Sequence, residues 1–171
     1  TLDYHADQTG TAVITVTGTS NAQDVNDTFT VTVSPVDDAP VTTNPLEDVS
    51  VNEDAADSTI ALGNVFNDID DDNASITKAA VSSDDSLVTV SVSGDTLTLD
   101  YQADQTGDAN VTVTATSNGQ TVTDAFTVTV TPVDDGPYVA NPLADVSVSE
   151  GDADSIIALG NVFNDIDDDN A

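Results

Sequence analysis

The sequence predicts an all-β fold of tandem seven-stranded Greek-key β-sandwiches, and three observations lead to that prediction. Residues recur at an offset of 97 positions, so that Thr1–Tyr4 returns as Thr98–Tyr101. A period of about one hundred residues is the size of one sandwich domain and is too long for a solenoid unit. Each repeat contains seven short segments in which apolar and polar residues alternate, with turn residues between them.

The seven predicted strands are rich in Val and Thr, whose branched side chains suit a pleated, half-buried surface. They cover residues 46–52, 58–62, 75–82, 86–93, 95–101, 109–117 and 120–131. Between the last two runs, the sequence Ser117-Asn118-Gly119 predicts a tight hairpin turn. No segment has helical periodicity, and Leu62 to Phe66 is compatible with a short turn or a 3₁₀ segment.

The apolar positions of these strands predict a small core with few aromatic side chains. The predicted core residues are Val51, Ile60, Leu62, Phe66, Ile76, Val90, Leu97, Leu99, Tyr101, Val111, Val113, Phe126, Val128 and Val130. Such a core is lean for a strongly charged chain, so we expect cations to contribute to the stability of the fold.

Two proline-flanked acidic segments divide the chain. The segment Pro35-Val36-Asp37-Asp38-Ala39-Pro40 returns at 132–137, and two prolines around two acids predict a stiff, extended linker. The predicted modules are residues 1–38, the C-terminal half of one repeat; residues 39–135, a complete repeat; and residues 136–171, the N-terminal half of another. We refer to them as the first, second and third modules, and to their boundaries as the first and second junctions.

The charge of the chain excludes several classes of partner. It has 32 acidic residues and one basic residue, Lys78, which gives a formal net charge of −31. Nucleic acid and anionic membranes need a basic surface, so neither is an expected partner. The absence of Cys excludes disulfides and thiolate metal sites. No apolar run is long enough to span a bilayer. Because Thr1 is not an initiator Met, we expect a fragment or a processed piece.

The most acidic stretch, Asn67 to Asn73, carries four Asp in the five positions from Asp68 to Asp72 and returns at Asn164 to Asn170. Short carboxylate and carboxamide side chains are ligands for hard cations such as calcium, and a solvated loop is the alternative interpretation. In an extended segment, Asp68 and Asp70 would face one ion while Ile69 turned into the core. An EF-hand is excluded, because its sixth and twelfth positions would be Asn73 and Ala79.

Catalytic interpretations of the same residues are weak. Paired acids could act as glycosidase carboxylates, but here the pairs recur in the linkers that separate the repeats. His5 has Gln102 as its counterpart in the next repeat, which favours a surface position. The sequence contains no Ser-His-Asp set, phosphate-binding loop or Cys/His metal spacing. We therefore predict that the chain is not an enzyme.

The repeat resembles bacterial cadherin-like domains, including the dystroglycan-type ones, which occur in tandem in large secreted or cell-surface proteins. Glu53 and Glu150 stand where these domains have a Glu near the end of the first strand. Asp68-Ile69-Asp70 with Asn73 matches their Asp-x-Asp and Asn, and the Asp-Asp pairs before Pro40 and Pro137 match a shortened linker. The middle loop departs from the pattern: residues 99–104 carry acids but lack the Arg-Glu of the family.

The resemblance implies an Ig-like or cadherin-like sandwich that binds Ca²⁺ at each junction. For the first junction, the implied ligands are Asp7, Asp37, Asp38, Asp68, Asp70 and Asn73. For the second junction, they are Glu53, Asp104, Asp134, Asp135, Asp165, Asp167 and Asn170.

The function implied is that of a structural module in a calcium-stiffened rod or stalk of a bacterial adhesin or surface fibre, extracellular or on the cell surface. Its partners would be neighbouring repeats of the same protein. Two alternatives stay open. One is a carbohydrate-binding module that grips a polysaccharide. The other is a filament subunit that self-associates by strand exchange, since half-modules at both ends would expose strand edges.

Overall fold

The computed structural model describes residues 1–167, which form thirteen β-strands and no helix. The strands are β1 Gly10–Ser20, β2 Gln23–Val33, β3 Val41–Thr42, β4 Val49–Asn52, β5 Ser58–Ala61, β6 Phe66–Asn67, β7 Thr77–Ser82, β8 Val88–Ser93, β9 Thr96–Tyr101, β10 Gly107–Ser117, β11 Gln120–Thr131, β12 Tyr138–Val139 and β13 Phe163–Asn164. Within this part of the chain, no helix exists that is long and apolar enough to cross a membrane.

Two sheets form a β-sandwich, as predicted. One has the strand order β4-β11-β10-β7 and the other β5-β9-β8. Strand β4 runs parallel to β11, and the other pairs in both sheets are antiparallel. These seven strands lie within a few residues of the seven predicted ones. The chain changes sheet between β4 and β5, between β5 and β7, between β7 and β8 and between β9 and β10, which gives the Greek-key connections of such sandwiches.

The core lies between the two sheets. Eleven of the fourteen predicted core residues are buried, and Val51, Ile60 and Val90 are partly buried against them. The prediction missed five further buried residues, Val65, Leu87, Val88, Ala109 and Ala115. The core contains only two large aromatic side chains, Phe66 and Phe126, beside Tyr101, whose hydroxyl lies 2.6 Å from the Ser58 hydroxyl. The lean core expected from the sequence is therefore present.

The hairpin turn at Asn118-Gly119 is confirmed. Its two residues have φ angles of 46° and 86°, and Ser117 pairs with Gln120 on either side of them. Positive φ at both central residues matches the twist of antiparallel strands, and Asn and Gly tolerate it best. Leu62 to Phe66 forms a turn, closed by the Val65 N–H donating to the Leu62 carbonyl at 3.1 Å.

The structure repeats at the sequence offset of 97. The β1–β2 hairpin has the register of β10–β11, and the β3–β6 pair has the register of β12–β13. Burial is not repeated: Val16 and Phe29 are 56% and 46% exposed, whereas their counterparts Val113 and Phe126 are 0% and 3% exposed. The first hairpin therefore presents an apolar face that the second hairpin buries in the sandwich.

Candidate metal centres at the module junctions

Strand pairing brings the acidic run of the second module to the first linker. Strand β3 follows the linker directly, and strand β6 precedes Asp68 directly. Because β3 and β6 are antiparallel, with Val41 opposite Asn67, the linker and the acidic run meet at one end of the pair. The Asp38 N–H donates to Asp70 Oδ2 at 2.8 Å across this contact.

The acidic run is a turn around Asp68, not an extended segment. Asp68 Oδ1 accepts the N–H groups of Asp70 at 2.9 Å and Asp71 at 3.3 Å. This turn breaks the alternation of an extended strand, so the prediction that Ile69 enters the core is wrong: Ile69 is 61% exposed. Asp68 is the buried residue, at 5% exposure. Short side chains of Asp favour such local hydrogen bonds over regular structure.

Asp68 Oδ2 is buried and has no hydrogen-bond partner among residues 1–167. A buried carboxylate oxygen without a donor is costly, because it has lost its water and gained nothing in exchange. The Oδ1 atom of Asn73, in the same loop, is also buried and without such a partner. Both atoms are oxygens, the donor type that calcium prefers.

Four predicted ligands of the first junction lie close enough to Asp38 to raise its pKa. Partial desolvation raises the pKa of the Asp38 carboxyl most, followed by repulsion from Asp70, Asp7, Asp68 and Asp37. A cavity of about 160 Å³ opens here and is lined by residues that include His5, Asp7, Asp38 and Asp70. That volume holds an ion together with several waters, each of which occupies about 30 Å³ in the liquid.

Asp37 has different partners from the other acids of the first junction. Its Oδ1 accepts from Asn118 Nδ2 at 2.7 Å, and its Oδ2 accepts from Gln120 Nε2 at 3.0 Å. The hydrogen bonds from Gln120 and Asn118 lower the pKa of the Asp37 carboxyl, since they stabilise its charged form. Asp37 is thus held by the hairpin tip of the second module.

The second junction repeats the linker contact. The Asp135 N–H donates to Asp167 Oδ2 at 2.6 Å, and the Asp167 N–H donates to Asp165 Oδ1 at 3.1 Å. Both bonds have counterparts 97 positions earlier, at Asp38 and Asp70. Asp134 is exposed. Asn170 lies outside the described residues.

A three-carboxylate cluster lies on the side of the second module at this junction. Asp54, Asp104 and Asp135 each place one oxygen within 4.8 Å of the other two. The pKa of Asp135 is raised first by partial desolvation and then by Asp54, Asp167, Asp104 and Glu53. The cluster therefore joins an acid from the second module's first strand region, one from its middle loop and one from the linker.

Sequence analysis missed Asp54. The position has φ 59°, and its counterpart in the third module is Gly151, with φ 88°. This pair of residues indicates a left-handed turn, a conformation that Asp and Gly share, and it gives no sign of a ligand. The available signal was its place directly after Glu53, which the family resemblance already marked.

Glu53 ties the second module to the linker that leaves it. Its side chain is buried at 5% exposure, and its Oε1 accepts the Val133 N–H at 2.5 Å. Its own N–H donates to the Thr131 carbonyl at 2.9 Å. These bonds continue the parallel pairing of β4 with β11 by one residue and place the carboxylate beside the linker.

No Lys or Arg side chain is available to neutralise either junction. Lys78 is the only Lys or Arg in the chain. Its ammonium bonds Asp95 at 2.7 Å and the Ile76 carbonyl at 3.2 Å, and its side chain is 2% exposed. The carboxylates at the junctions must therefore be balanced by ions from solution or by protons.

No family model and no curated protein matches the sequence. Among solved structures, the chain is similar to a protocadherin GammaB4 extracellular domain, with 21% identity and a TM-score of 0.53 over 82% of this chain and 25% of that one. It also matches an endo-fucoidan hydrolase of glycoside hydrolase family 107, with 18% identity and a TM-score of 0.42 over 74% of this chain and 19% of that one.

A third match is a titin M4 domain, with 16% identity and a TM-score of 0.39 over 57% of this chain and all of that one. The chain thus spans between a fifth and a quarter of the length of the hydrolase and the protocadherin. The likeness to the protocadherin agrees with the β-sandwich described above and extends to the fold alone.

Proposed function

We propose that the chain is a non-catalytic structural segment of an extracellular or cell-surface bacterial repeat protein, in which Ca²⁺ at the junctions joins consecutive modules into a stiff rod. In this proposal the modules are residues 1–38, 39–135 and 136–171. The partner of each module is its neighbour in the same protein.

The observation that carries the proposal is the buried, unpartnered Oδ2 of Asp68 at a junction where Asp7, Asp38 and Asp70 supply further carboxylates. The oxygens of an exposed acidic loop would face water. Here one oxygen is withdrawn from water at a junction where several carboxylates lie around Asp38. Calcium takes six to eight oxygen ligands, and bound water completes such a set. The residues present therefore fit a calcium ion.

The ion would act by joining groups from different modules. Asp7 belongs to the first module, Asp38 to the linker, and Asp68 and Asp70 to the second module. Without a cation these carboxylates repel one another, which favours separation of the modules. A bound divalent cation reverses the sign of that interaction and fixes the angle between modules.

The test is a calcium titration of the chain by calorimetry, with small-angle scattering and thermal unfolding in calcium and in chelator. We expect binding, a narrower range of shapes and a higher Tm in calcium. A site filled at one hundred times its Kd adds about 2.7 kcal/mol to the free energy of unfolding of the part that binds. Identical scattering and Tm in calcium and chelator would overturn the proposal.

A matched pair of variants separates ligation from general charge screening. Asp68→Asn keeps an Oδ1 that accepts the N–H groups of Asp70 and Asp71, but it removes the carboxylate charge. Asp85→Asn removes the same charge at an exposed site outside the junctions. We expect the first variant alone to weaken calcium binding, and an equal effect of both would indicate screening.

The filament alternative is supported by the bare apolar face of the β1–β2 hairpin. Light scattering at rising concentration tests this alternative, and retention on insoluble polysaccharides tests the carbohydrate-binding one.

A further inference from the structure

The tip of the β10–β11 hairpin makes a second, non-acidic contact with the first linker. Asn118 Nδ2 lies 2.7 Å from both Asp37 Oδ1 and Asp71 Oδ2. Gln120 Nε2 lies 3.0 Å from both the Asp37 backbone carbonyl and Asp37 Oδ2. The buried Ser117 hydroxyl donates to Asp71 Oδ2 at 2.7 Å. Three polar side chains of one turn thus hold two carboxylates.

We propose that this hairpin tip is a binding site for the acidic linker that precedes its module, and that the contact orients the linker without a metal ion. Asn118 and Gln120 of the tip bind the linker through the Asp37 carboxylate and its backbone carbonyl. Ser117 and Asn118 hold Asp71 of the second module beside them. We call this contact the amide latch. It stands whether or not calcium binds at the junctions.

The amide latch divides the linker acids between two tasks. Both oxygens of Asp37 accept hydrogen bonds from amide groups, which satisfies the carboxylate as a cation would. Asp38, the next residue, points its N–H to Asp70 and has carboxylates around its side chain. Asp37 is therefore a positioning residue that sets the place of Asp38, and it is not required as a metal ligand.

The sequence carries the same tip in the first module. Ser20, Asn21 and Gln23 are the counterparts of Ser117, Asn118 and Gln120, and all three are exposed. Asn21 has φ 52° and Asn118 has φ 46°, so the two turns also share their backbone geometry. The first tip contacts no linker among residues 1–167, and it provides a control within the same chain.

The experiment uses the full chain with two spin labels. Because the chain has no Cys, Thr15→Cys in β1 and Ser91→Cys in β8 place one label on each module at an exposed position. The latch variant is Asn118→Asp with Gln120→Glu, which keeps side-chain shape and adds carboxylates beside Asp37. The control variant is Asn21→Asp with Gln23→Glu. Distances between the labels are measured by electron spin resonance in chelator and in calcium.

We expect the distance distribution in chelator to be broader for the latch variant than for the parent and the control. Asn118→Gly, which removes the amide without adding charge and suits the positive φ, should broaden it as well. Thermal unfolding of each variant shows whether the second module still folds; if the charged variant does not fold, Asn118→Gly decides.

Three results would overturn the amide latch: in chelator, equal breadth in the latch and control variants, a parent as broad as the latch variant, or no effect of Asn118→Gly. The calcium proposal fails separately. If calcium alters none of the distributions while the latch variant has a broader one than the control, the amide latch is supported and the calcium proposal is refuted.

Discussion

Residues 1–38 and 98–135 are identical at 28 of 38 positions, and the structure gives them the same hairpin in different surroundings. Their strands pair in the same register, and Asp7 and Asp104 have φ angles of 57° and 56°. The second copy packs against β4 and β7 and is buried, whereas the first is open on its apolar face. Pairing and turn geometry are therefore encoded locally, and burial depends on the rest of the sandwich.

The acidic residues of the two copies also lie in different surroundings. Asp104 and Asp135 meet Asp54 and Glu53 of the second module. The first copy aligns with residues 98–135, so the chain holds no counterpart of Glu53 or Asp54 for the first junction. The first junction in turn shows the amide latch, which needs the hairpin of the module that follows. The second junction thus shows the acidic residues of the module that precedes a linker. The first junction shows the hairpin tip of the module that follows one.

The largest expected difference between the copies is in core packing. Phe126→Ala should lower the free energy of unfolding by about 3–5 kcal/mol, because it leaves a cavity between the sheets. Phe29→Ala, at the matching position of the open hairpin, should change it by about 0.5 kcal/mol or less. Urea unfolding of both variants measures the difference. Equal losses would mean that the first hairpin is covered in solution.

The next difference concerns cation binding. Asp54→Asn should weaken calcium binding at the second junction by about tenfold to a hundredfold, the range seen when metal-site residues are altered. The first junction should keep its affinity, because Asp54 lies at the second junction with Asp104 and Asp135. A two-site calorimetric titration distinguishes the junctions. Equal weakening of both sites would refute independent centres.

A smaller difference lies in the turns. Gly119→Ala should destabilise the second module by about 1–2 kcal/mol, since φ 86° is unfavourable for a residue with a Cβ. The cost is one of backbone geometry, because an added Cβ would meet nothing within 4 Å. The reverse change, Ala22→Gly at the matching turn, should stabilise the first hairpin, because Ala22 has a φ of 62°, which is unfavourable for a residue with a Cβ. Thermal unfolding of each variant checks both signs, and a stabilising Gly119→Ala would contradict the argument.

The smallest expected difference is in how the stability of the folded chain depends on pH in chelator. The pKa of Asp135 is raised in the folded chain, so its ionised form is disfavoured there. Its destabilising effect is fully present above the raised pKa and disappears as the pH falls below about 3.9, the value in an unfolded chain. The Tm advantage of Asp135→Asn over the parent should therefore shrink as the pH falls through this window.

At the first junction, the hydrogen bonds of the amide latch give Asp37 a pH dependence of stability that is opposite in sign to that of Asp135. The pKa of Asp37 is lowered, so its contribution is present above about pH 3.9 and is lost as the pH falls through the lower folded pKa. Asp37→Asn should accordingly lose its disadvantage only at the acidic end of the range. Parallel pH profiles for the Asp37 and Asp135 variants would contradict this assignment.

The sequence was sufficient for features that depend on neighbouring residues. Alternation of apolar and polar residues located all seven sandwich strands, and Asn118-Gly119 located the hairpin turn. The family resemblance grouped Asp38 with Asp70, and Asp135 with Asp167, and the structure joins each pair by a hydrogen bond. These contacts follow once one strand pair, β3 with β6, is set beside a stiff linker.

What escaped sequence analysis depends on distant residues. The contact of Asp37 with Asn118 spans 81 positions, and no local pattern distinguishes Asp37 from Asp38. Asp54 joins Asp104 and Asp135 through the way the sheets stack. Ile69 was misplaced because the hydrogen bonds of Asp68 bend a segment that its composition alone would leave extended.

The parallel pairing of β4 with β11 has a mechanical consequence. Strand β4 lies near the start of the second module and β11 near its end, and four residues of each are paired. Tension applied through the two linkers pulls parallel neighbours in opposite directions, so their hydrogen bonds are sheared together instead of opening one after another. The second module should then resist stretching through these few residues, and its yield point should lie at Val49 to Asn52.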